Sequence, residues 1–300
     1  MNLNEFQTEW MGKFDDYLYS ELGNCVPMQE SLHEAMAYSL MGGGKRIRPL
    51  LVFATLALAG GDVKKGFAPA AALEFIHTYS LIHDDLPAID NDDYRRGRLT
   101  SHKVYGEATA ILAGDALLTA AFEMLAESQN LSDSQKIRLI ALLAKAAGPN
   151  GMIAGQMDDI EGEEKKLTIE ELMQVHEKKT GALIEFAVSA GCLVADADPH
   201  FSGKMQAFAK YLGLGYQIHN DLKDVVLDEN ETGKKIHHDA EMNKNTYPSI
   251  LGTKEAMLAL NDVIRNAEGC LDELAAEGAF PADERDKIIV LHQFLDYIRI

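Results

Sequence analysis

Residues 68–98 read APAAALEFIHTYSLIHDDLPAIDNDDYRRGR, a nearly apolar run that ends in five aspartates within ten positions and then three arginines. A run of this length that is apolar on almost every side predicts a helix in the middle of a bundle. Its few polar residues recur at spacings that place them on one helix face: Glu74, His77, Thr78, Asp84 and Asp85. We therefore expect a buried helix that delivers two carboxylates to its own C-terminus.

Two further segments, ATAILAGDALLTAAFEML (108–125) and GALIEFAVSAGCLVA (181–195), are also apolar all round and predict central helices. Gly114 and Gly191 would let neighbouring helices approach these two segments closely. Elsewhere apolar residues recur at helical spacing, no series of alternating strands stands out, and prolines and glycine clusters divide the chain into ten or so helices. No linker or internal repeat separates parts of the chain. The sequence predicts an all-α fold and a single domain over residues 1–300.

The 300-residue chain has 47 acidic and 28 basic residues, a formal net charge of −19, which argues against binding to nucleic acid or to anionic lipid. Cys25, Cys192 and Cys270 are odd in number and have no metal-binding spacing, so we expect reduced thiols. The N-terminus lacks the pattern of a signal peptide, and no window approaches 18 uninterrupted apolar residues. We expect a cytoplasmic protein with no stable membrane insertion.

The aspartates after the apolar run are candidate metal ligands. Pro87 breaks or kinks the helix, so Asp90 can converge with Asp84 and Asp85. Clustered carboxylates without His or Cys suit Mg²⁺, which is usually shared with substrate phosphates. A solvated acidic loop is the alternative. A calcium loop of EF-hand type fails, because Arg95 stands where the turn glycine should follow Asp90 and no glutamate occupies the twelfth position.

A second acidic stripe lies in GLGYQIHNDLKDVVLD (213–228), on one face of a predicted helix: Gln217, Asn220, Asp221, Asp224 and Asp228. A lone stripe is most often solvated, but here it repeats the first patch. The basic residues also cluster, beginning with the glycine loop GGGKRIRP (42–49), where Lys45, Arg46 and Arg48 would face an anion. Carboxylates for Mg²⁺ beside cations that bind the same anion predict a magnesium diphosphate site.

Seven segments identify a resemblance: GGGKRIRP, HTYSLIHDDLPAIDNDDYRRG, GEATAILAGDAL, GQMDD, KTGALI, YQIHNDLKDV and NKNTYP. In this order they resemble the motifs of the trans-type short-chain isoprenyl diphosphate synthases. The resemblance implies a helical bundle around a central cavity, a Mg²⁺ cofactor and a homodimer. It also implies head-to-tail condensation of isopentenyl diphosphate with dimethylallyl or geranyl diphosphate. The expected product is farnesyl diphosphate, with geranylgeranyl diphosphate as the alternative.

The resemblance also implies roles for individual residues. The diphosphate of isopentenyl diphosphate would be held by Lys45, Arg48, His77 and Arg96. The allylic diphosphate would be contacted by Arg95, Lys179, Lys234 and Lys244. Mg²⁺ ligands would be Asp84, Asp85, Asp90, Asp221 and Asp224. Thr180 and Gln217 would line the path of the developing allylic cation. Tyr79, beside Ser80, would form the floor of the chain pocket, where an aromatic ring favours fifteen carbons, although a core tyrosine with a satisfied hydroxyl is equally consistent.

Four positions depart from the family pattern. Asn220 replaces the first aspartate of the second motif, so one Mg²⁺ should bind more weakly, and Lys223 stands where an apolar residue is usual. His219 stands where glutamine is common. His237 replaces a glycine that would permit a tight loop over the diphosphate, so this position disfavours loop closure. These departures keep open a weakly active subunit that binds prenyl diphosphates. An acidic calcium-binding or scaffold protein, or a zinc site at His219, His237 and His238, is disfavoured.

Overall fold

The structure, a computed structural model, describes residues 1–25, 29–226 and 244–300. The all-α prediction is confirmed, since these residues form fourteen α-helices and one hairpin of two-residue strands. The first seven helices are α1 (Leu3–Cys25), α2 (Glu30–Leu40), α3 (Ile47–Leu58), α4 (Phe67–Asp84), α5 (Ser101–Tyr105), α6 (Glu107–Glu127) and α7 (Asp133–Ala147). The other seven are α8 (Met152–Gly162), α9 (Ile169–His176), α10 (Ala182–Val194), α11 (Pro199–Val226), α12 (Tyr247–Leu251), α13 (Thr253–Glu277) and α14 (Lys287–Phe294).

The centre of the bundle is formed by α3, α4 and α10, whose side chains are buried along nearly their whole length. Helix α4 packs against α3 and α6, and α10 packs against α3, α7 and α11. Gly191 lets α10 approach α3 closely, because a Cβ there would lie 2.8 Å from Thr55 Cβ and 2.8 Å from the Val52 carbonyl oxygen. The predictions that residues 68–82 and 181–195 form central helices are confirmed.

Helix α6 differs from the prediction of a helix buried on every side. Leu112 is 59% exposed and Ile111 is 42% exposed, so α6 presents two large apolar side chains to solvent. Another face of α6 packs on α4, where the missing side chain of Gly114 makes room for the ring of His83. By length and composition α6 is the one helix in the described residues that could cross a membrane, and 44% of its apolar window is buried.

A short antiparallel hairpin follows the first aspartates, where the sequence predicted no strand. Strand β1 (Tyr94–Arg95) pairs with β2 (Arg98–Leu99), and the two central turn residues, Arg96 and Gly97, have φ values of 53° and 74°. A two-residue turn with positive φ at both positions matches the twist of the strands, but asparagine or aspartate normally takes the place of Arg96. The pattern was therefore hard to read from the sequence.

One cluster of buried hydrophobic side chains extends from Leu3 to Ile298. It includes residues of α1 at one end of the chain and of α14 at the other, and these two helices pack against each other. A shared core of this kind supports a single domain over residues 1–300, which stays a prediction.

Candidate active site

The first acidic cluster forms where α4 ends. Beyond Pro87 the chain folds back, and the Asp90 amide donates to the carbonyl oxygen of Asp84 at 2.9 Å. Burial raises the pKa of Asp84 to about 6; the charges of Asp90 and Asp85 add to this rise, while Lys179 and Arg95 oppose it. Asp84 and Asp90 are therefore close enough to repel each other, as the kink at Pro87 predicted. A bound cation would relieve that repulsion.

Asp85 is held differently. Arg95 Nε donates to Asp85 Oδ1 at 2.7 Å and to Oδ2 at 2.9 Å, and Arg95 Nη2 lies 2.6 Å from Oδ1. Asp85 is only 3% exposed. A buried carboxylate with both oxygens on one guanidinium is well satisfied by the protein itself. The metal-binding role of Asp85 and the diphosphate contact of Arg95 stay predictions, and this pairing disfavours both.

Lys179 and Thr180 lie on a π-helical turn, Glu177–Gly181, inserted between α9 and α10. Single π-turns are frequent at functional sites because they redirect side chains that an α-helix would present elsewhere. The turn presses against α8 at Gly155, where a Cβ would lie 2.2 Å from the Lys179 amide nitrogen. Glycine is therefore required in the GQMDD segment for this turn to fit.

Two lysines face the first acidic cluster. Lys179 Nζ lies 2.6 Å from Asp159 Oδ2, and Lys244 Nζ lies 4.0 Å from Asp90 Oδ1. Burial opposes the charge of Lys179, but Asp159, Asp84 and Asp90 together raise its pKa above the ordinary value. Lys179 is thus held in its cationic form beside the aspartates, and Lys244 lies next to Asp90. Lys234, predicted to act with them, lies outside the described residues, as do Asp228, His237 and His238.

A basic pocket opens beside α3 and α4, with a volume of about 500 Å³. Its lining includes Gly44, Lys45, Arg48, His77, Arg96 and Tyr216. Arg48 Nη1 donates to His77 Nε2 at 3.2 Å. Burial and the surrounding arginines, Arg48 first, hold the pKa of His77 well below its ordinary value, so its ring is neutral and can accept this hydrogen bond. The structure brings together the four residues predicted to hold one diphosphate.

Arg46 also lines this pocket, together with Glu74, but its guanidinium is paired within the protein. It caps α3 in the left-handed region at φ 48° and turns inward, where its Nη1 lies 2.7 Å from Glu74 Oε1 and its Nη2 donates to the Leu40 carbonyl at 2.9 Å. The expectation that all three cations of the GGGKRIRP loop face an anion stays a prediction, and the pairing with Glu74 disfavours it for Arg46. The buried carboxylate of Glu74 needs a cationic partner, and Arg46 is that partner.

An apolar cavity of about 490 Å³ adjoins the acidic cluster. It is lined by Tyr79, Ser80, Asp84, Leu118, Met152, Met157, Lys179, Thr180 and Leu183, and it shares Arg48 and His77 with the basic pocket. The hydroxyl of Tyr79 is buried and has no hydrogen-bond partner among the described residues. A core tyrosine with a satisfied hydroxyl is thus disfavoured, and Tyr79 lines the cavity; its role as the floor of the chain pocket stays a prediction.

The second acidic stripe is only partly turned toward solvent. Asn220 is exposed and its Nδ2 donates to Gln217 Oε1 at 3.3 Å. Asp221 is buried, and its Oδ2 lies 3.3 Å from His176 Nε2 and accepts the Tyr247 amide at 2.9 Å. The protein thus already occupies an oxygen of Asp221, so this arrangement disfavours its predicted metal-binding role. Asp224 and Lys223 are partly exposed on the same helix.

Mg²⁺ fits the first cluster better than the second. No group of three His, Cys, Asp or Glu side chains in the described parts of the chain is already gathered around a common point. Mg²⁺ commonly takes one or two carboxylates from a protein and completes its shell with water and substrate phosphates. Asp84 and Asp90 match that requirement, because the charge of Asp90 helps to raise the pKa of Asp84 and a cation between them would offset that repulsion.

Sequence reasoning missed two residues of the site. Asp159 lies in the quoted GQMDD segment, but no role was derived for it, although it pairs with Lys179. His176 was not singled out at all, yet it contacts Gln217 and Asp221. Its position three residues before Lys179 was the available signal, because that spacing places both near the same turn.

The fold and the site define a class: an all-α bundle with clustered carboxylates and cations beside an apolar cavity. The sequence model of the polyprenyl synthetase family matches residues 29–277. The chain is 49% identical over 250 residues to the farnesyl diphosphate synthase of Geobacillus stearothermophilus, covering 83% of this chain and 84% of that protein. It is 50% identical over 256 residues to the farnesyl diphosphate synthase of Micrococcus luteus, covering 85% and 87%.

A solved structure agrees with these sequence matches. The geranyltransferase of Helicobacter pylori, complexed with magnesium and isoprenyl diphosphate, superposes with a TM-score of 0.82 at 33% identity over 98% of this chain and 97% of that one. The chain belongs to the polyprenyl synthetase family.

Proposed function

We propose that the protein is a cytoplasmic, Mg²⁺-dependent prenyltransferase that condenses isopentenyl diphosphate with dimethylallyl or geranyl diphosphate to give farnesyl diphosphate. One observation carries the proposal: the basic pocket and the apolar cavity share Arg48 and His77, and the cavity also reaches Asp84 and Lys179. Two anionic substrates could thus lie side by side, with the tail of one in apolar surroundings. The farnesyl diphosphate synthases among its relatives support the product.

Isopentenyl diphosphate occupies the basic pocket in this proposal. Lys45, Arg48 and Arg96 supply positive charge, and guanidinium groups bind phosphate oxygens with two parallel hydrogen bonds. Neutral His77 orients Arg48 through their 3.2 Å contact. Burial lowers the pKa values of Arg48 and Arg96, and an anion bound beside them would favour their charged forms, which supports this assignment.

The allylic diphosphate lies opposite, between the acidic cluster and the two lysines. Asp84 and Asp90 would hold Mg²⁺, which when bound would withdraw negative charge from the leaving diphosphate. Lys179 and Lys244 then exchange their contacts with Asp159 and Asp90 for phosphate oxygens. Stabilisation of the leaving group lowers the barrier to ionisation, and each 1.36 kcal/mol corresponds to about a tenfold change in rate.

The allylic cation forms at the edge of the apolar cavity. Leu118, Met152 and Leu183 exclude water that would quench it. Thr180 lies in the cavity wall and Gln217 on α11, and their oxygens stabilise the developing positive charge. The double bond of isopentenyl diphosphate attacks the cation, a new carbon–carbon bond forms, and a proton passes to the departed diphosphate.

The length of the cavity limits the product. Tyr79 is 5% exposed and its ring packs edge-on against His83, with 5.7 Å between the ring centroids. A ring fixed in this way stops the chain at fifteen carbons. Geranylgeranyl diphosphate is the product if the tail passes Tyr79.

A specific observation favours a second candidate, a weakly active subunit that binds prenyl diphosphates. Asn220 brings no charge to the second motif, and an oxygen of Asp221 is already occupied by His176 and Tyr247. Such a subunit would bind isopentenyl diphosphate without turnover or would need an added second chain.

A homodimer is part of the proposal. The exposed apolar side chains of α6, Ile111 and Leu112, form the kind of surface that a second copy would cover.

Release of inorganic diphosphate tests the reaction itself. We expect release only when isopentenyl diphosphate and geranyl diphosphate are both present with Mg²⁺, since the departing group is lost as the new bond forms. Release from geranyl diphosphate alone would indicate hydrolysis and contradict the proposed condensation. Binding of isopentenyl diphosphate without any release would establish the second candidate.

A further inference from the structure

A chain of hydrogen bonds runs behind the second acidic motif. It begins at the amide nitrogen of Tyr247 and passes through Asp221 to His176, whose Nδ1 lies 3.5 Å from Gln217 Nε2. His176 is 5% exposed and Asp221 is 8% exposed, and the His176 ring is stacked on the Tyr247 ring with 5.9 Å between centroids. The chain joins three separate segments, α9, α11 and the start of α12.

The donor and the acceptor of each hydrogen bond in this series follow from the chemistry of the Asp221 carboxylate and the Gln217 amide. A carboxylate oxygen accepts hydrogen bonds, so His176 Nε2, which faces Asp221 Oδ2, is placed as the donor of that contact. Gln217 Nε2 belongs to an NH₂ group, which only donates, so His176 Nδ1 is placed as the acceptor of the second contact. The Gln217 oxygen is left on the other side, where Asn220 Nδ2 donates to it at 3.3 Å.

We propose that His176 and Asp221 are positioning residues for Gln217, which fix its amide with the nitrogen turned inward and the oxygen turned away from His176. This inference rests on the proposed function, in which Gln217 stabilises an allylic cation. A carbonyl oxygen stabilises a cation and an NH₂ group repels it, so the direction of the amide decides the sign of the interaction. A dipole fixed before the reaction costs no reorganisation when the charge appears.

The same chain gives Asp221 a role other than metal binding. Its Oδ2 accepts from both His176 and the Tyr247 amide, which also anchors the start of α12 three residues after Lys244. Without the Asp221 carboxylate, the proton of His176 would no longer be fixed on Nε2. The orientation of the Gln217 amide, which depends on that proton, would then no longer be fixed either.

A double-mutant cycle tests the inference in the full-length enzyme. His176→Phe keeps a ring to stack on Tyr247 but removes both nitrogens, and we expect kcat to fall roughly ten- to a hundredfold with each KM within about threefold. In the Gln217→Ala background the same substitution should add little, because its target is gone. Additive losses would overturn the inference. His292→Phe is the matched control, since His292 pairs with Asp272 at 3.4 Å outside the site and should leave kcat unchanged.

A measurement without turnover makes the test independent of the proposed function. In the ¹⁵N spectrum of histidine-labelled protein, we expect His176 to carry a proton on Nε2 and none on Nδ1, and to lose that preference in Asp221→Asn. A proton on His176 Nδ1 would need an acceptor, so the Gln217 amide would have to present its oxygen to His176, and this result would overturn the inference. Bound Mn²⁺, counted by electron paramagnetic resonance, should be unchanged in Asp221→Asn, and loss of an ion would identify a metal ligand instead. An inactive wild-type enzyme would overturn the proposed function but not the tautomer result.

Discussion

Asp84 is the residue at which burial and charge conflict most clearly. It lies beside Asp90, and burial raises its pKa to about 6. Asp84→Ala removes a carboxylate that we propose holds Mg²⁺, so we expect turnover to fall by about a thousandfold or more, from a loss of about 4 kcal/mol of charge stabilisation. Steady-state kinetics and thermal unfolding of the variant check this. Retained activity in a folded variant would remove Asp84 from the metal site.

The raised pKa of Asp84 also predicts that the stability of the folded protein depends on pH when Mg²⁺ is removed. The folded-state pKa of Asp84, about 6, lies above its ordinary value of 3.8, so the folded state favours the protonated carboxyl. That contribution is fully present below pH 3.8 and is lost as the pH rises through 6. Asp84→Asn mimics the protonated form, and we expect it to raise the melting temperature at pH 8 by roughly 2–4 °C.

The gain in melting temperature of Asp84→Asn over the wild type should shrink as the pH falls through 6 and vanish near 3.8. Melting curves across this pH range in chelator-containing buffer provide the measurement. Asp93→Asn, at an exposed residue of the same segment, is the control and should show no gain. An equal gain at every pH would mean that burial of the Asp84 charge is not its cause.

Tyr79 carries the prediction on product length. Tyr79→Ala removes a ring from the wall of the apolar cavity, so we expect the main product to lengthen by one isoprene unit, from fifteen to twenty carbons. Chromatography of the dephosphorylated products gives the answer directly. An unchanged product from an active variant would show that Tyr79 is not the floor.

At the level of elements, the π-turn of Glu177–Gly181 depends on Gly155 of α8. A Cβ at Gly155 would lie 2.2 Å from the Lys179 nitrogen and 2.6 Å from its Cα, both backbone atoms that cannot move aside cheaply. We expect Gly155→Ala to destabilise the fold by about 1–3 kcal/mol and to lower kcat at least about tenfold, because Lys179 and Thr180 are displaced. Denaturant unfolding and steady-state kinetics measure the two effects.

Gly203 offers a matched control on α11. A Cβ there would meet nothing within 4 Å, and alanine in a helix interior is favoured over glycine by about 0.5–1 kcal/mol. Gly203→Ala should therefore leave kcat unchanged and stability equal or slightly higher. If both glycine variants behave alike, the close approach of α8 to the π-turn has no energetic consequence.

The sequence predicted the main elements because their signals are local. The apolar run of 68–82 identified α4, and the kink at Pro87 explained how Asp84 and Asp90 converge. It missed pairings made across elements, such as Arg46 with Glu74, since their partners are distant in the chain. The π-turn at Lys179 was also out of reach, because helical periodicity does not separate one inserted residue from a regular helix.

The Asp221 contact shows the same limit. Spacing alone placed Asp221 on a polar stripe with Asn220 and Asp224, which is equally consistent with metal binding. Only the packing of α9 and α12 against α11 turns its carboxylate toward His176 and the Tyr247 amide. Burial, which depends on the whole fold, decided the orientation.

At the level of the whole molecule, the exposed apolar side chains of α6 predict the oligomeric state. Leu112 is 59% exposed on this helix, and a charge buried there in a dimer would lack a partner. We expect Leu112→Glu to weaken dimerisation at least about a hundredfold, equivalent to about 3 kcal/mol. Sedimentation velocity across a concentration series measures it. Ile137→Glu on α7, at a residue that is 69% exposed, is the control and should remain dimeric.

Product analysis tests the proposed condensation most directly. The purified protein is incubated with Mg²⁺, isopentenyl diphosphate and either dimethylallyl or geranyl diphosphate, and the dephosphorylated alcohols are separated by chromatography. We predict that a fifteen-carbon alcohol accumulates from both starters. No elongated product from either starter would contradict the account.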